Sequence, residues 1–344
     1  MPEPGKAVAL CRTEEGERRM RRRYGTIDPA LERVYAELAE RGLVSPDPTA
    51  LPIAEAREGN VRYLRHLGEG GPEMASVTVT EIAGPSGTVP VKVLSPPAAD
   101  IPAPGLLYLH GGGFAFGDLE THEGLARHFA AKSGAVVAMP HYRRTPEHPF
   151  PAAYENSLAA WRWLASKATA TTLGLDARRL GIIGDSAGGN LGLALAAALR
   201  DGAGLVPAGV ALIYPMLSLR TDTPSHRAYA AGPGLTAQRL AWFWARYLDG
   251  GTRHDDPRAV PWHVSLAGLP PIALFIAECD VLADDGWDLA DRLAADGVPF
   301  TVDLFENATH GVIQLARYYR PAEDALATIG RRLAEMLGTP RMSA

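Results

Sequence analysis

The sequence predicts an α/β fold: a mostly parallel central sheet with an antiparallel N-terminal hairpin, helices on both faces, and a helical cap. Three observations carry this expectation. Short apolar runs, "GLLYLH", "AVVAMP", "RLGIIGDS", "GVALIYP", "PIALFIAE" and "FTVDLFE", recur along the chain, as strands buried on both faces do. Helical patterns such as "AAYENSLAAWRWLASKA" and "GWDLADRLAADG" lie between several of them, and this alternation implies right-handed crossovers in a parallel sheet. The chain has 344 residues, 47% hydrophobic and 21% charged, which suits one large domain with a substantial core.

Taken in order, residues 1–60 are charged and helix-prone. Their clearest amphipathic piece is "PALERVYAELAERG", and the basic run "ERRMRRRYG" reads as a solvated helix face. From Ser76, "SVTVTEIAGPSGTVPVKVLSP" is two alternating strands around a Gly-Pro-Ser-Gly turn. Residues 218–262 interrupt the strand–helix rhythm. They hold no strand and one helix, with Trp242, Phe243 and Trp244, between Pro- and Gly-rich loops. An insertion between sheet strands lies over the strand ends, where it covers a site. The expected organisation is an α/β body of residues 61–217 and 263–344, with a cap built from 1–60 and 218–262.

Composition removes several function classes. The net charge of −5 argues against a general nucleic-acid binder, which needs a basic face. Cys11 and Cys279, the two cysteines, form no disulfide framework and point to a reducing, cytoplasmic compartment. The opening "MPEPGKAVALCRTEEGE" lacks a basic start and a long apolar stretch, so no secretory leader is expected. The apolar "NLGLALAAALR" is too short to span a bilayer. No H-E-x-x-H and no Cys/His ligand spacing is found, and no G-x-G-x-x-G follows a first strand. Neither a metal nor another cofactor is therefore expected.

Chemistry concentrates at "GIIGDSAGGN", residues 181–190. An apolar strand pattern runs directly into an Ala- and Leu-rich helical pattern. The bend between them needs small neighbours, and a serine at its apex, Ser186, has its hydroxyl held out from the backbone. Gly184-Asp185-Ser186-Ala187-Gly188 fits G-x-S-x-G in the strand–turn–helix context that a nucleophile elbow requires. A serine hydroxyl is a weak nucleophile, so this reading demands a base, an acid that orients the base, and donors for an oxyanion.

The donors are expected in "YLHGGGFAFGD", where glycines following a strand leave backbone N–H groups free to point into a cavity. Gly112 and Gly113, with Ala187 N–H, would form the oxyanion hole. Among ten histidines, His310 is the one after Ser186 that follows a strand end. His226, His254 and His263 belong with the insertion and read as surface residues, while His110 precedes the serine and braces the glycine loop. The acid is expected at the end of the preceding strand, in "ECDVLADDG". Asp280 lies closest to that end without belonging to the strand, which Glu278 does. Asp284 and Asp285 fall in the first turn of the next helix, where acids are favoured for a non-catalytic reason.

The ordered set "HGGGFAFGD", "HYRRTPEHPFPAAYEN", "GDSAGGN", "ECDVLADDG" and "ATHGV" resembles the hormone-sensitive-lipase-like carboxylesterases of the α/β-hydrolase superfamily, over roughly residues 76–335. The resemblance implies an α/β-hydrolase fold, Ser186 as nucleophile, Asp280 as acid, His310 as base, and Gly112, Gly113 and Ala187 as oxyanion donors. It implies a small-molecule ester as substrate, with no nucleic acid and no membrane span; a homodimer stays open. The chain departs from the family at "YRRTPEHPFPA", usually "YRLAPEHPFPA", where Arg144 and Thr145 replace apolar residues. It departs again at "DVLADDG", usually "DPLRDEG". Phe114, directly after the glycines, is expected at the substrate pocket with Trp242 and Trp244. The Trp242-Phe243-Trp244 cluster and the charged N-terminal helix would roof a closed apolar pocket, suited to short and medium acyl chains. An amidase or deacetylase with the same triad passes through the same acyl-enzyme, so sequence does not separate it. A non-catalytic receptor on this fold need not keep a full triad.

Overall fold

The structure is a computed structural model that describes residues 24–97, 101–251 and 253–339. Cys11 and most of the basic run lie outside the described residues. Among the described residues two helices come first, α1 (Pro29–Glu40) and α2 (Ile53–Gly68). The hairpin follows as β1 (Ser76–Gly84) and β2 (Gly87–Ser95). Gly84 and Gly87 are cross-strand partners, which leaves Pro85 and Ser86 as the turn. Next come β3 (Ala103–Leu109), α3 (Glu123–Ser133), β4 (Val136–Pro140), α4 (Ala152–Leu164), α5 (Lys167–Leu173), β5 (Leu175–Asp185), α6 (Ala187–Ala198) and β6 (Val210–Ile213). The described residues continue through α7 (Pro224–Ala228), α8 (Ala237–Leu248), β7 (Ile272–Cys279), α9 (Ala283–Ala295), β8 (Phe300–Thr309) and α10 (Arg320–Leu337).

Among the described residues the strands form one eight-stranded sheet in the order β1-β2-β4-β3-β5-β6-β7-β8. The β1/β2 and β2/β4 pairs are antiparallel and every later pair is parallel. Strands β3, β4 and β7 are buried along their whole length, which explains their unbroken apolar runs. Side chains alternate between two cores. Leu107, Leu109, Ile272, Leu274 and Ile276 enter one, with α4, α6 and α9. Leu106, Tyr108, Ala273, Phe275 and Ala277 enter the other, with α3 and α10. Helix α1 adds Leu31, Val34 and Leu38 to this second core, so its apolar stripe packs on the body.

Two features differ from the expectation. The boundary expected at residue 60 falls inside an unbroken helix, because α2 runs to Gly68. The insertion holds two α-helices among its described residues rather than one. The extra helix, α7, is started by Thr223, whose Oγ1 accepts the His226 N–H at 3.2 Å, and by Pro224 in its first turn.

Candidate active site

The sheet presents its C-terminal strand ends to one region, and Ser186, Asp280 and His310 meet there. Strand β5 ends at Asp185 and α6 begins at Ala187, so Ser186 alone makes the turn, with φ 56°. A non-glycine residue in this left-handed region is strained. The flanking residues are small because the turn is tight. A Cβ on Gly184 would overlap the Gly188 carbonyl, and a Cβ on Gly188 would overlap the Leu109 carbonyl. G-x-S-x-G is thus a statement about close backbone approach.

His310 follows β8 directly. Its Nε2 lies 2.9 Å from Ser186 Oγ, and its Nδ1 lies 2.6 Å from Asp280 Oδ2. Asp280 follows β7, and its side chain has no exposed surface. Its Oδ1 accepts the Leu282 N–H at 3.0 Å, which fixes the rotamer that faces His310. A carboxylate opposite Nδ1 requires the proton to sit on that nitrogen, which leaves Nε2 free to accept the serine hydroxyl. Tyr214 packs a ring beside the imidazole at 4.6 Å between centroids.

The glycine loop leads off β3 beside the elbow. Asp185 joins them: its Oδ1 accepts the Gly111 N–H at 3.0 Å and the Tyr108 hydroxyl at 2.9 Å. The N–H groups of Gly112 and Gly113 meet no acceptor among the described residues. Ala187, the first residue of α6, has an N–H with no intrahelical acceptor. His110 braces the loop from below. Its Nδ1–H donates to Gly111 O at 2.9 Å, and Tyr142 stacks on its ring at 4.2 Å. Burial holds its imidazole well below the ordinary pKa, so the ring is neutral.

The expected pocket aromatics are placed differently. Phe114 is fully buried and stacks on Tyr247 at 3.6 Å. Trp244 is also buried, tilted against Phe114 and Tyr247. Trp242 is only partly buried and carries the Arg246 guanidinium over its ring at 5.4 Å. Of the expected roof cluster, Phe243 is the ring at the glycine loop: it fills the space a Cβ on Gly113 would occupy. The signal was helical periodicity. Leu240, Phe243, Trp244, Tyr247 and Leu248 form the buried stripe of α8, the spacing of an amphipathic helix, and Trp242 lies off it.

Asp284 and Asp285 lie in the first turn of α9, as expected, and are buried there. Asp285 accepts from Ser218 N–H and Oγ at 3.0 and 2.9 Å and from Arg220 Nη2 at 2.7 Å. Asp284 accepts from Ser225 N–H and from the Tyr24 hydroxyl, both at 2.8 Å. They moor the insertion to α9. Arg239 of α8 moors it to the N-terminal segment through Ser45 Oγ at 2.9 Å. Gly234 lies on the His310 carbonyl, 2.8 Å from where its Cβ would be.

Among the described residues no cluster of His, Cys, Asp and Glu has the arrangement to hold a metal ion, and no helix is long and apolar enough to cross a membrane.

A family profile described as alpha/beta hydrolase fold matches residues 106–314, which contain every residue of this site. An ethyl acetate hydrolase of Pseudomonas putida is 37% identical over 256 residues, 73% of this chain and 79% of that protein. The esterase LipI of Mycobacterium tuberculosis is 36% identical over 284 residues, 81% of this chain and 88% of that one. Among solved structures, an esterase of Pyrobaculum calidifontis superposes with a TM-score of 0.82 at 31% identity, covering 90% of this chain and 99% of that chain. Identity at this level over most of the length, with a matching family profile across the site, has one consistent reading: the chain belongs to the hormone-sensitive-lipase-like carboxylesterases of the α/β-hydrolase fold.

Proposed function

We propose that this carboxylesterase works through a covalent acyl-enzyme on Ser186, with His310 as general base and acid, Asp280 as the orienting carboxylate, and Gly112, Gly113 and Ala187 as oxyanion donors. The observation that carries the reading is the continuous hydrogen-bonded line from Ser186 Oγ through His310 to Asp280, at 2.9 and 2.6 Å. Ser186 Oγ attacks the ester carbonyl while Nε2 takes its proton. The carbonyl oxygen becomes an oxyanion facing N–H groups that have no other acceptor. Collapse expels the alcohol, protonated by Nε2–H, and leaves the acyl ester on Ser186. Water then repeats both steps and releases the acid. The test is labelling with an organophosphate: one phosphoryl group per chain, on Ser186, with complete loss of ester hydrolysis. Labelling elsewhere, or full activity after labelling, removes the assignment.

The substrate proposed is an ester of short to medium acyl chain. Phe243 over Gly113, and an insertion moored at Asp284, Asp285 and Ser45, support a roofed site, with the N-terminal helices and the 218–262 insertion as its two-part cap. That a similar protein is an ethyl acetate hydrolase supports a small substrate. Across aryl esters of increasing acyl length, kcat/KM is expected to peak at short or medium chains and fall beyond. A steady rise toward long chains, with activation at an oil–water interface, would count against a closed pocket. A cytoplasmic location is proposed on cysteine usage; Cys279 is free and buried at the end of β7.

A further inference from the structure

The turn that carries the candidate oxyanion donors is held from outside by two arginines. Gly112 (φ 109°), Gly113 (φ 59°), Phe114 (φ 60°) and Gly117 (φ 81°) all lie in the left-handed region. For phenylalanine that conformation costs about 1 kcal/mol or more, and it persists only where the surroundings impose it. The turn closes on itself: Ala115 and Phe116 N–H groups donate to Gly112 O at 3.1 and 2.8 Å. In a trans peptide the C=O and N–H point in opposite directions. Holding Gly112 O inside the turn therefore aims the Gly113 N–H outward.

Three further carbonyls of the turn are pinned by groups beyond it. Phe114 O accepts the Thr145 N–H at 2.9 Å. Ala115 O accepts Arg57 Nε–H at 2.9 Å, and Gly117 O accepts Arg144 Nη1–H at 2.6 Å. Arg57 is on α2, far from the turn in sequence. Its guanidinium also donates to Thr145 O at 2.7 Å and to both oxygens of Glu147, at 2.6 and 2.7 Å. Those hydrogen bonds hold the Glu147 carboxyl at about 2, so the fork stays paired through the neutral range. Of the two positions at which "YRRTPEHPFPA" departs from the family pattern, Arg144 holds this turn through its side chain, while Thr145 does so through its main chain alone.

We propose that Arg57 and Arg144 are positioning residues for ester hydrolysis, setting the direction of the Gly112 and Gly113 N–H groups by gripping the Ala115 and Gly117 carbonyls. The proposal rests on the assignment of those N–H groups as oxyanion donors. It distinguishes the two arginines. Arg57 bridges three partners with a planar fork that lysine does not reproduce, whereas Arg144 makes one N–H···O=C contact to the turn, which a lysine ammonium reaches.

The test compares Arg57→Gln, Arg57→Lys, Arg144→Leu and Arg144→Lys with wild type. It measures kcat and KM on a short-chain aryl ester, the affinity of an aryl boronic acid that forms a tetrahedral adduct on the serine, and the thermal midpoint. Losing an oxyanion donor outright costs about a hundredfold or more, and a donor displaced rather than lost costs less. Arg57→Gln is expected to lower kcat by about ten- to a hundredfold with KM within about threefold of wild type. Boronate affinity should fall in parallel. Arg144→Leu should lose about three- to tenfold, Arg144→Lys should regain most of that, and Arg57→Lys should regain little. A loss carried by KM, or kcat losses with unchanged boronate affinity, or rates that track only the folded fraction, overturns the proposal. If Arg57→Gln does not fold, the Arg144 pair decides by the same criteria. A wild-type enzyme insensitive to organophosphate would remove the Ser186 assignment and this proposal with it. A sensitive wild type with arginine variants at wild-type rate removes this proposal alone.

Discussion

Ser186→Ala and His310→Ala are each expected to lower ester turnover by about a millionfold, the scale found when a serine triad loses its nucleophile or its base. The two losses should be similar because the residues act as one unit. Without Nε2 the hydroxyl keeps its proton, and without Oγ no acyl-enzyme forms. Both variants should remain folded. The Ser186 side chain contributes one hydrogen bond, to His310, and alanine meets the same backbone demand at φ 56°. Replacing His310 removes one contact to Ser186, one to Asp280 and the ring packing against Tyr214, at an edge of the core rather than its centre. The check is steady-state hydrolysis of an aryl ester beside circular dichroism and thermal melting. A residual rate above about one hundredth of wild type in either variant would remove that residue from the mechanism. The Ser186→Ala protein should also fail to take up organophosphate.

The fold was legible because buried parallel strands write themselves as short apolar runs, and the candidate triad residues could be picked out because each stands at a strand end. The elbow sits between β5 and α6, Asp280 just past β7 and His310 just past β8. Chain order and strand periodicity suffice to find such positions. What the sequence hid depends on direction and on long-range contact. Trp242, Phe243 and Trp244 are adjacent, and only the helical phase set by Leu240 and Tyr247 tells which ring turns inward. Phe114 follows the glycines, yet its φ of 60° directs it onto Tyr247. Asp284 and Asp285 read as acids favoured at a helix start. Their burial becomes visible only when Ser218, Arg220 and Ser225 of the insertion fold back onto them. Arg57 carries no local signal, because its partners at Ala115, Thr145 and Glu147 lie far along the chain. The boundary proposed at residue 60 falls inside a helix: Gly59 does not break α2, whose apolar spacing continues through Tyr63, Leu64 and Leu67.

Asp280→Asn is expected to lower turnover by about ten-thousandfold. The carboxylate faces His310 Nδ1 at 2.6 Å and holds the tautomer in which Nε2 accepts from Ser186. An asparagine that presents its NH₂ to Nδ1 reverses that bond. The imidazole proton moves to Nε2, which then cannot take the serine proton, and the imidazolium formed during attack loses its counter-charge. Leu282 N–H continues to hold the other side-chain position when the amide oxygen faces it, and that is the orientation that puts the NH₂ toward His310. Asp284→Asn and Asp285→Asn separate this effect from general loss of a buried acid. Each removes a carboxylate that accepts hydrogen bonds from the insertion, so each should lower stability by about 1–3 kcal/mol and loosen the roof. Neither touches His310, so turnover per folded chain should change by less than about tenfold. Rates should therefore be normalised to organophosphate-titrated sites, with melting curves taken alongside. A severe loss at Asp284→Asn with a near-normal rate at Asp280→Asn would move the orienting role to the first turn of α9 and leave the serine–histidine chemistry standing. The expected order, Asp280 far below both neighbours in rate but not in melting temperature, would assign the orienting charge to the one acid whose side chain is sealed against His310.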